Sequence, residues 1–127
     1  MKKKIALADS EWRLMQIIWE KSPCTFRDIC DAACEPNGWT KHAVMSYLKR
    51  MEAKGAIAVK DAKPVKLYTA ILNKEETIEE ETEDLLNRVY NGSLLLMVQS
   101  AVRGRGMSEE DMESLKALLA KGERHDG

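Results

Sequence analysis

The stretch Thr40-Lys41-His42-Ala43-Val44-Met45-Ser46-Tyr47-Leu48-Lys49-Arg50-Met51-Glu52-Ala53-Lys54-Gly55-Ala56-Ile57-Ala58-Val59-Lys60 changes its period in the middle. As far as Lys54, the apolar residues Val44, Tyr47, Leu48 and Met51 recur at i, i+3, i+4 and i+7, which is one face of a helix. Thr40 is a good N-cap, and Gly55 is the residue type that closes a helix in a left-handed conformation. Beyond Gly55 the pattern alternates. Residues 56–60 and 66–71 read as two short strands joined by the basic loop Asp61-Ala62-Lys63-Pro64-Val65, with Pro64 where no ladder donor is needed.

Upstream, residues 10–21 carry Trp12, Met15, Ile18 and Trp19 at helical spacing behind Asp9 as N-cap, and Ser22-Pro23 ends the helix. A second helix opens at Thr25, with Asp28 three positions on as a weak capping box and Phe26, Ile29, Cys30 and Ala33 as its apolar positions. Glu35-Pro36-Asn37-Gly38 reads as the turn after it. Three helices followed by a two-stranded wing is the order of a winged helix-turn-helix domain, and a hairpin this small is expected to pack on the first helix.

Downstream, Asn73 opens a helix whose first turns hold Glu75, Glu76, Glu79, Glu80 and Glu81, suited to the positive end of the helix dipole. Asn91-Gly92 ends it. Ser93 begins the most apolar stretch of the chain, Leu94 to Val98 with Val102, stopped by Gly104 and Gly106, and Ser108 opens a last helix. Three short amphipathic helices make too small a core to stand alone, so pairing with a second copy is expected. The fold class is mainly α with a small β-hairpin: a winged helix-turn-helix domain over residues 1–72 and a three-helix dimerisation region over residues 73–127. Leu85, Leu86, Val89, Leu94, Leu95, Val98, Leu115 and Leu119 are the expected dimer contact.

The net charge of −1 over 127 residues hides an asymmetry. Residues 1–72 hold 13 Lys/Arg against 8 Asp/Glu, a net of +5, whereas residues 73–127 hold 7 against 13, a net of −6. Such a split suggests a polyanion-binding half and an acidic half with another task. No run approaches the roughly 18 apolar residues of a membrane span, and the basic N-terminus lacks the apolar core of a secretion signal. A cytoplasmic protein without membrane insertion is expected, and its three Cys are expected to be reduced thiols. There is no Gly-rich phosphate loop after a strand and no His-Glu-x-x-His, so neither an enzyme nor a cofactor is expected.

The outward face of the third helix and the wing carry the site. Thr40, Lys41, His42, Met45 and Ser46 lie near the start of a helix that fits the major groove, with Lys41, His42, Met45 and Ser46 the candidates for base edges. Lys49, Arg50, Lys63 and Lys66 are the candidate phosphate partners, with Thr25 at the start of the second helix. The expected partner is double-stranded DNA carrying an inverted repeat, bound by a homodimer. Two alternatives stand beside this reading. One is a winged-helix protein-interaction module that never touches DNA. The other is a thiol- or metal-responsive DNA-binding sensor built on Cys24, Cys30 and Cys34, the last two sharing a helix face.

Ser10-Glu11-Trp12 with Ile17-Ile18-Trp19, then Trp39-Thr40-Lys41, Leu48-Lys49-Arg50-Met51, Lys54-Gly55-Ala56-Ile57 and Val89-Tyr90-Asn91-Gly92-Ser93 resemble the penicillinase and methicillin-resistance repressors and the related copper-responsive repressors, the BlaI/MecI/CopY family. The similarity covers roughly residues 7–121. It implies a dimeric winged-helix repressor on a palindromic operator, with interlocked C-terminal helices. It also brings, by resemblance only, a regulatory membrane metallopeptidase as partner. Where the beta-lactam-responsive members are cut at an Asn-Phe bond this chain reads Ser100-Ala101, and where the copper-responsive members carry C-terminal Cys-x-Cys motifs it has no Cys after Cys34.

Overall fold

The computed structural model describes residues 4–122, among which lie six helices and three strands. The chain divides into two compact units, one ending at Glu79 and the other beginning at Glu80. Helix α1 (Asp9–Lys21) buries Glu11, Leu14, Met15 and Ile18, a stripe at i, i+3, i+4 and i+7. Its N-cap is Ala8, not the expected Asp9. The Glu11 carboxylate reaches back to accept the Ala8 amide at 2.7 Å, so the cap donor is satisfied without a polar residue at the cap itself.

Strand β1 (Cys24–Thr25) leads directly into α2 (Phe26–Asn37). The capping box at its start is complete: the Asp28 amide donates to the Thr25 hydroxyl at 3.1 Å, and the Thr25 amide donates to the Asp28 carboxylate at 3.0 Å. Residues 35–37 belong to α2 rather than to a turn. Pro36 sits in the last turn, where its missing donor costs a single helical bond, and Gly38 at φ 66° closes the helix. Helix α3 (Lys41–Lys54) begins at Thr40, whose hydroxyl accepts the Ala43 amide at 3.0 Å, and ends at Gly55 with φ 85°, as its sequence indicates.

Strands β2 (Ile57–Ala62) and β3 (Val65–Ala70) pair from Ile57↔Ala70 to Ala62↔Val65. The wing therefore turns on Lys63-Pro64 alone, not on a five-residue loop. Polar residues at its tip do not stop the ladder, because both faces there meet solvent and alternation no longer reports pairing. The sheet has a third member: β1 pairs with β3 through Cys24↔Tyr68 and Thr25↔Leu67, giving the order β1-β3-β2. The expected two-stranded wing is thus three-stranded at its base. The hairpin packs on α1 and α2 through β3, whose Tyr68 enters a core of Leu14, Met15, Ile18, Ile29, Val44, Leu48, Met51 and Ile57.

Helices α4 (Lys74–Tyr90), α5 (Leu94–Arg105) and α6 (Glu109–Ala120) follow. Asn73, Ser93 and Ser108 each accept a backbone amide at the start of one of them. Gly104 lies inside α5, and Gly106 alone ends it. The boundary between the two compact units falls within α4.

Glu11 is the one charged side chain fully buried among the described residues. One oxygen accepts the Lys54 ammonium as well as the Ala8 amide, the Arg50 Nε lies 3.7 Å from the other, and Lys54 also donates to the Ala6 carbonyl at 2.8 Å. Burial pushes the carboxyl pKa up, but the Ala8 amide, Lys54 and Arg50 outweigh it and hold Glu11 below its ordinary 4.5. A carboxylate depressed in the folded state stabilises the fold above its unfolded pKa and loses that contribution as pH falls through the folded value. Unfolding followed by circular dichroism is therefore expected to show stability falling below pH 4.5, with a shallower fall in Glu11→Gln. At pH 7, Lys54→Met is expected to cost more than Glu11→Gln, about 3 to 5 kcal/mol against about 2, since it leaves a buried carboxylate without its cation.

Candidate nucleic-acid interface

With Val44, Leu48 and Met51 turned into the core, α3 presents Lys41, His42, Ser46 and Lys49 to solvent and keeps Met45 half-buried. Thr40 and Thr25 act first as caps, fixing where α3 and α2 begin. The starts of these two helices border a cleft lined by Phe26, Arg27, Cys30, Asp31 and Lys41. Two positive helix ends thus lie near two cationic side chains. Arg27 was not among the residues singled out from the sequence, although its exposed place in the first turn of a capped helix was the available signal.

A second recess separates α3 from the wing and is lined by Met45, Leu48, Lys49, Glu52, Val59, Lys66 and Tyr68. It brings Lys49 and Lys66 together, two residues 17 positions apart in the sequence. Its volume is about 60 Å³. Glu52 places one negative charge there. Lys63 stands exposed at the wing turn.

Arg50 is placed differently from the other candidates. Its guanidinium lies 5.1 Å from the centre of the Tyr47 ring, and its Nε faces Glu11. Tyr47 in turn meets Trp39 edge-on at 5.2 Å. Trp39, Tyr47, Arg50 and Glu11 are thus linked in succession, which gives Trp39 a structural role.

Cys24 and Cys30 are core residues and Cys34 is half-buried. Burial, then a hydrogen bond with Cys34, pushes the Cys30 thiol up to about 11, and burial also raises Cys24. Among the described residues no three His, Cys, Asp or Glu side chains gather as a metal site. Likewise no helix among them is long and apolar enough to cross a membrane.

In the helical unit, Leu85, Val89, Leu94, Leu95 and Leu119 are exposed, whereas Leu86, Val98 and Leu115 are half-buried. No side chain of α4, α5 or α6 is buried. Leu95 at 68% and Leu119 at 70% exposure are extreme for leucine and leave a large apolar surface without a core.

Three helices, a wing packed on the first two, and an exposed cationic third helix define a winged helix-turn-helix protein. The family model described as penicillinase repressor matches residues 7–121, and the chain belongs to that family of transcriptional repressors. It is 28% identical over 119 residues to the penicillinase repressor of Bacillus licheniformis, covering 94% of this chain and 93% of that protein. It is 23% identical over 119 residues to the methicillin resistance regulatory protein MecI of Staphylococcus aureus strain N315, covering 94% and 97%. The solved structure of the monomeric form of Bacillus licheniformis BlaI in complex with the blaP half-operator superposes with a TM-score of 0.53 at 24% identity, over 59% of this chain and 93% of that one.

The thiol environments give a direct check. Brief alkylation of the native protein at pH 7 with iodoacetamide is expected to modify Cys34 and to leave Cys24 and Cys30 protected until the protein is unfolded, as read by peptide mass spectrometry.

Proposed function

We propose that this repressor acts as a cytoplasmic homodimer that lays α3 of each subunit into the major groove of one half of an inverted-repeat operator. The observation that carries the reading is the face of α3, where Lys41, His42, Ser46 and Lys49 point outward from a helix pinned on its other side by the core and by Glu11. Lys49, Lys66 and Lys63 meet phosphates, Arg27 and Lys41 meet the backbone beside the helix starts, and His42, Met45 and Ser46 meet base edges. Occupancy of the operator excludes polymerase from the promoter. The bound half-operator in the BlaI complex supports this use of a similar domain.

Residues 73–127 supply the dimer contact. Helices with no buried side chain and several strongly exposed leucines gain a core when a second copy covers them. Two-fold symmetry then sets the half-sites about one helical turn, roughly 34–36 Å, apart. The Ser100-Ala101 step lies inside α5, so a protease reaches it only when that helix opens locally.

Selection from random duplex DNA at moderate salt is expected to enrich an inverted repeat bound with steep salt dependence. Lys49→Ala is expected to weaken binding on every sequence and reduce the salt slope by about 1, whereas Glu52→Gln is expected to tighten binding by removing a charge that repels phosphate. Unchanged binding in Lys41→Ala and Lys49→Ala, or no enrichment, would favour the protein-interaction module. Leu95→Glu is expected to give monomer or insoluble protein in sedimentation, and a stable dimer would overturn the assignment of this surface.

A further inference from the structure

We propose that Met45 reads the C5-methyl group of a pyrimidine in the major groove, so that each half-site holds one thymine selected by its methyl group. The inference rests on the operator-binding reading above and names what one residue of that interface recognises.

Met45 is the long apolar side chain on the outward half of α3 that is neither in the core nor stacked on a ring. Val44, Leu48 and Met51 are buried, Tyr47 packs edge-on against Trp39, and Lys41, His42, Ser46 and Lys49 are exposed. Met45 is half-buried and lines the recess between α3 and the wing, which it shares with the apolar Leu48, Val59 and Tyr68 and with the charged Lys49, Lys66 and Glu52. It is thus half-covered beside the recess and half-open to solvent, between Lys49 and Lys66, the cations expected to hold the duplex.

What such a side chain recognises follows from its chemistry. A thioether has no donor and only a weak acceptor, so it cannot tell one hydrogen-bonding pattern of a base edge from another. The major-groove edges of guanine, adenine and cytosine present polar atoms that lose water against an apolar chain without gaining a partner. Thymine alone presents an apolar group there, its C5-methyl, and burying a methyl-sized group against Met45 is a gain of about fourfold in affinity per half-site. An unbranched chain with three rotatable bonds also adjusts to the methyl without moving the helix.

The experiment takes the full-length protein and the operator recovered by selection, and replaces each thymine in turn by deoxyuridine, which keeps every hydrogen bond and removes only the methyl. One symmetric pair of thymines is expected to lose about 15-fold in affinity when both half-sites are changed, and about fourfold when one is. In Met45→Ala that loss is expected to vanish, while Met45→Leu retains it. Circular dichroism confirms that both variants are folded. Selection that recovers no operator would strike the operator-binding reading itself. An operator whose thymines all tolerate deoxyuridine, or a methyl effect that persists in Met45→Ala, would overturn the assignment to Met45 and leave operator binding standing.

Discussion

The placement of α3 against α1 depends on one buried carboxylate. Glu11 sits in the first turn of α1, accepts the amide that starts that helix, and binds Lys54 at the last residue of α3. A single side chain therefore ties the beginning of one helix to the end of another. Gly55 follows at once and β2 two residues later, so the same contact fixes where the wing leaves the helical core. The Coulombic gain of such a pair is largely offset by desolvation, and its consequence is chiefly positional: the C-terminal end of α3 is tied to the start of α1. Arg50 belongs to this arrangement through Glu11 and Tyr47, although it lies one residue from Lys49.

The two compact units differ in kind. The first has a dense core with an ion pair inside it, and its surface carries the positive excess of the chain. The second, from within α4 onward, has well-capped α5 and α6 and no buried side chain in its helices. Caps define where helices begin but contribute only about 1 kcal/mol each, far less than a buried apolar core. Local signals thus specify the α4, α5 and α6 boundaries, and apolar surface remains to be covered.

Much of this was legible in the sequence because the decisive signals were local. The change from helical to alternating period at Gly55, the threonine caps of α2 and α3, and the asparagine and serine caps of α4, α5 and α6 all read correctly. The features that escaped reading are those made by distant residues. β1 is two residues long, too short to show alternation, and exists only because β3 pairs with it. Nothing local marks Glu11 for burial, because its partner Lys54 lies 43 residues away in the chain. The same limit applied at the candidate site. Lys49 and Lys66 were legible as separate cations, whereas the recess they share, the presence of Glu52 within it and the diversion of Arg50 toward Tyr47 depend on tertiary packing. Pro36 misled for a different reason, since its turn-forming composition is tolerated in the last turn of α2.

The continuous pairing of β2 with β3 as far as Ala62 and Val65 bears on the thermodynamic character of the wing. Only Lys63 and Pro64 lie outside the ladder, and proline restricts the backbone of one of them. A long flexible loop would surrender conformational freedom on meeting a partner, and its ordering would appear as an unfavourable entropy and a slowed final docking step. A pre-ordered tip has little such freedom to lose. The lysine it carries, Lys63, thus stands on a turn whose position is set by the ladder beneath it.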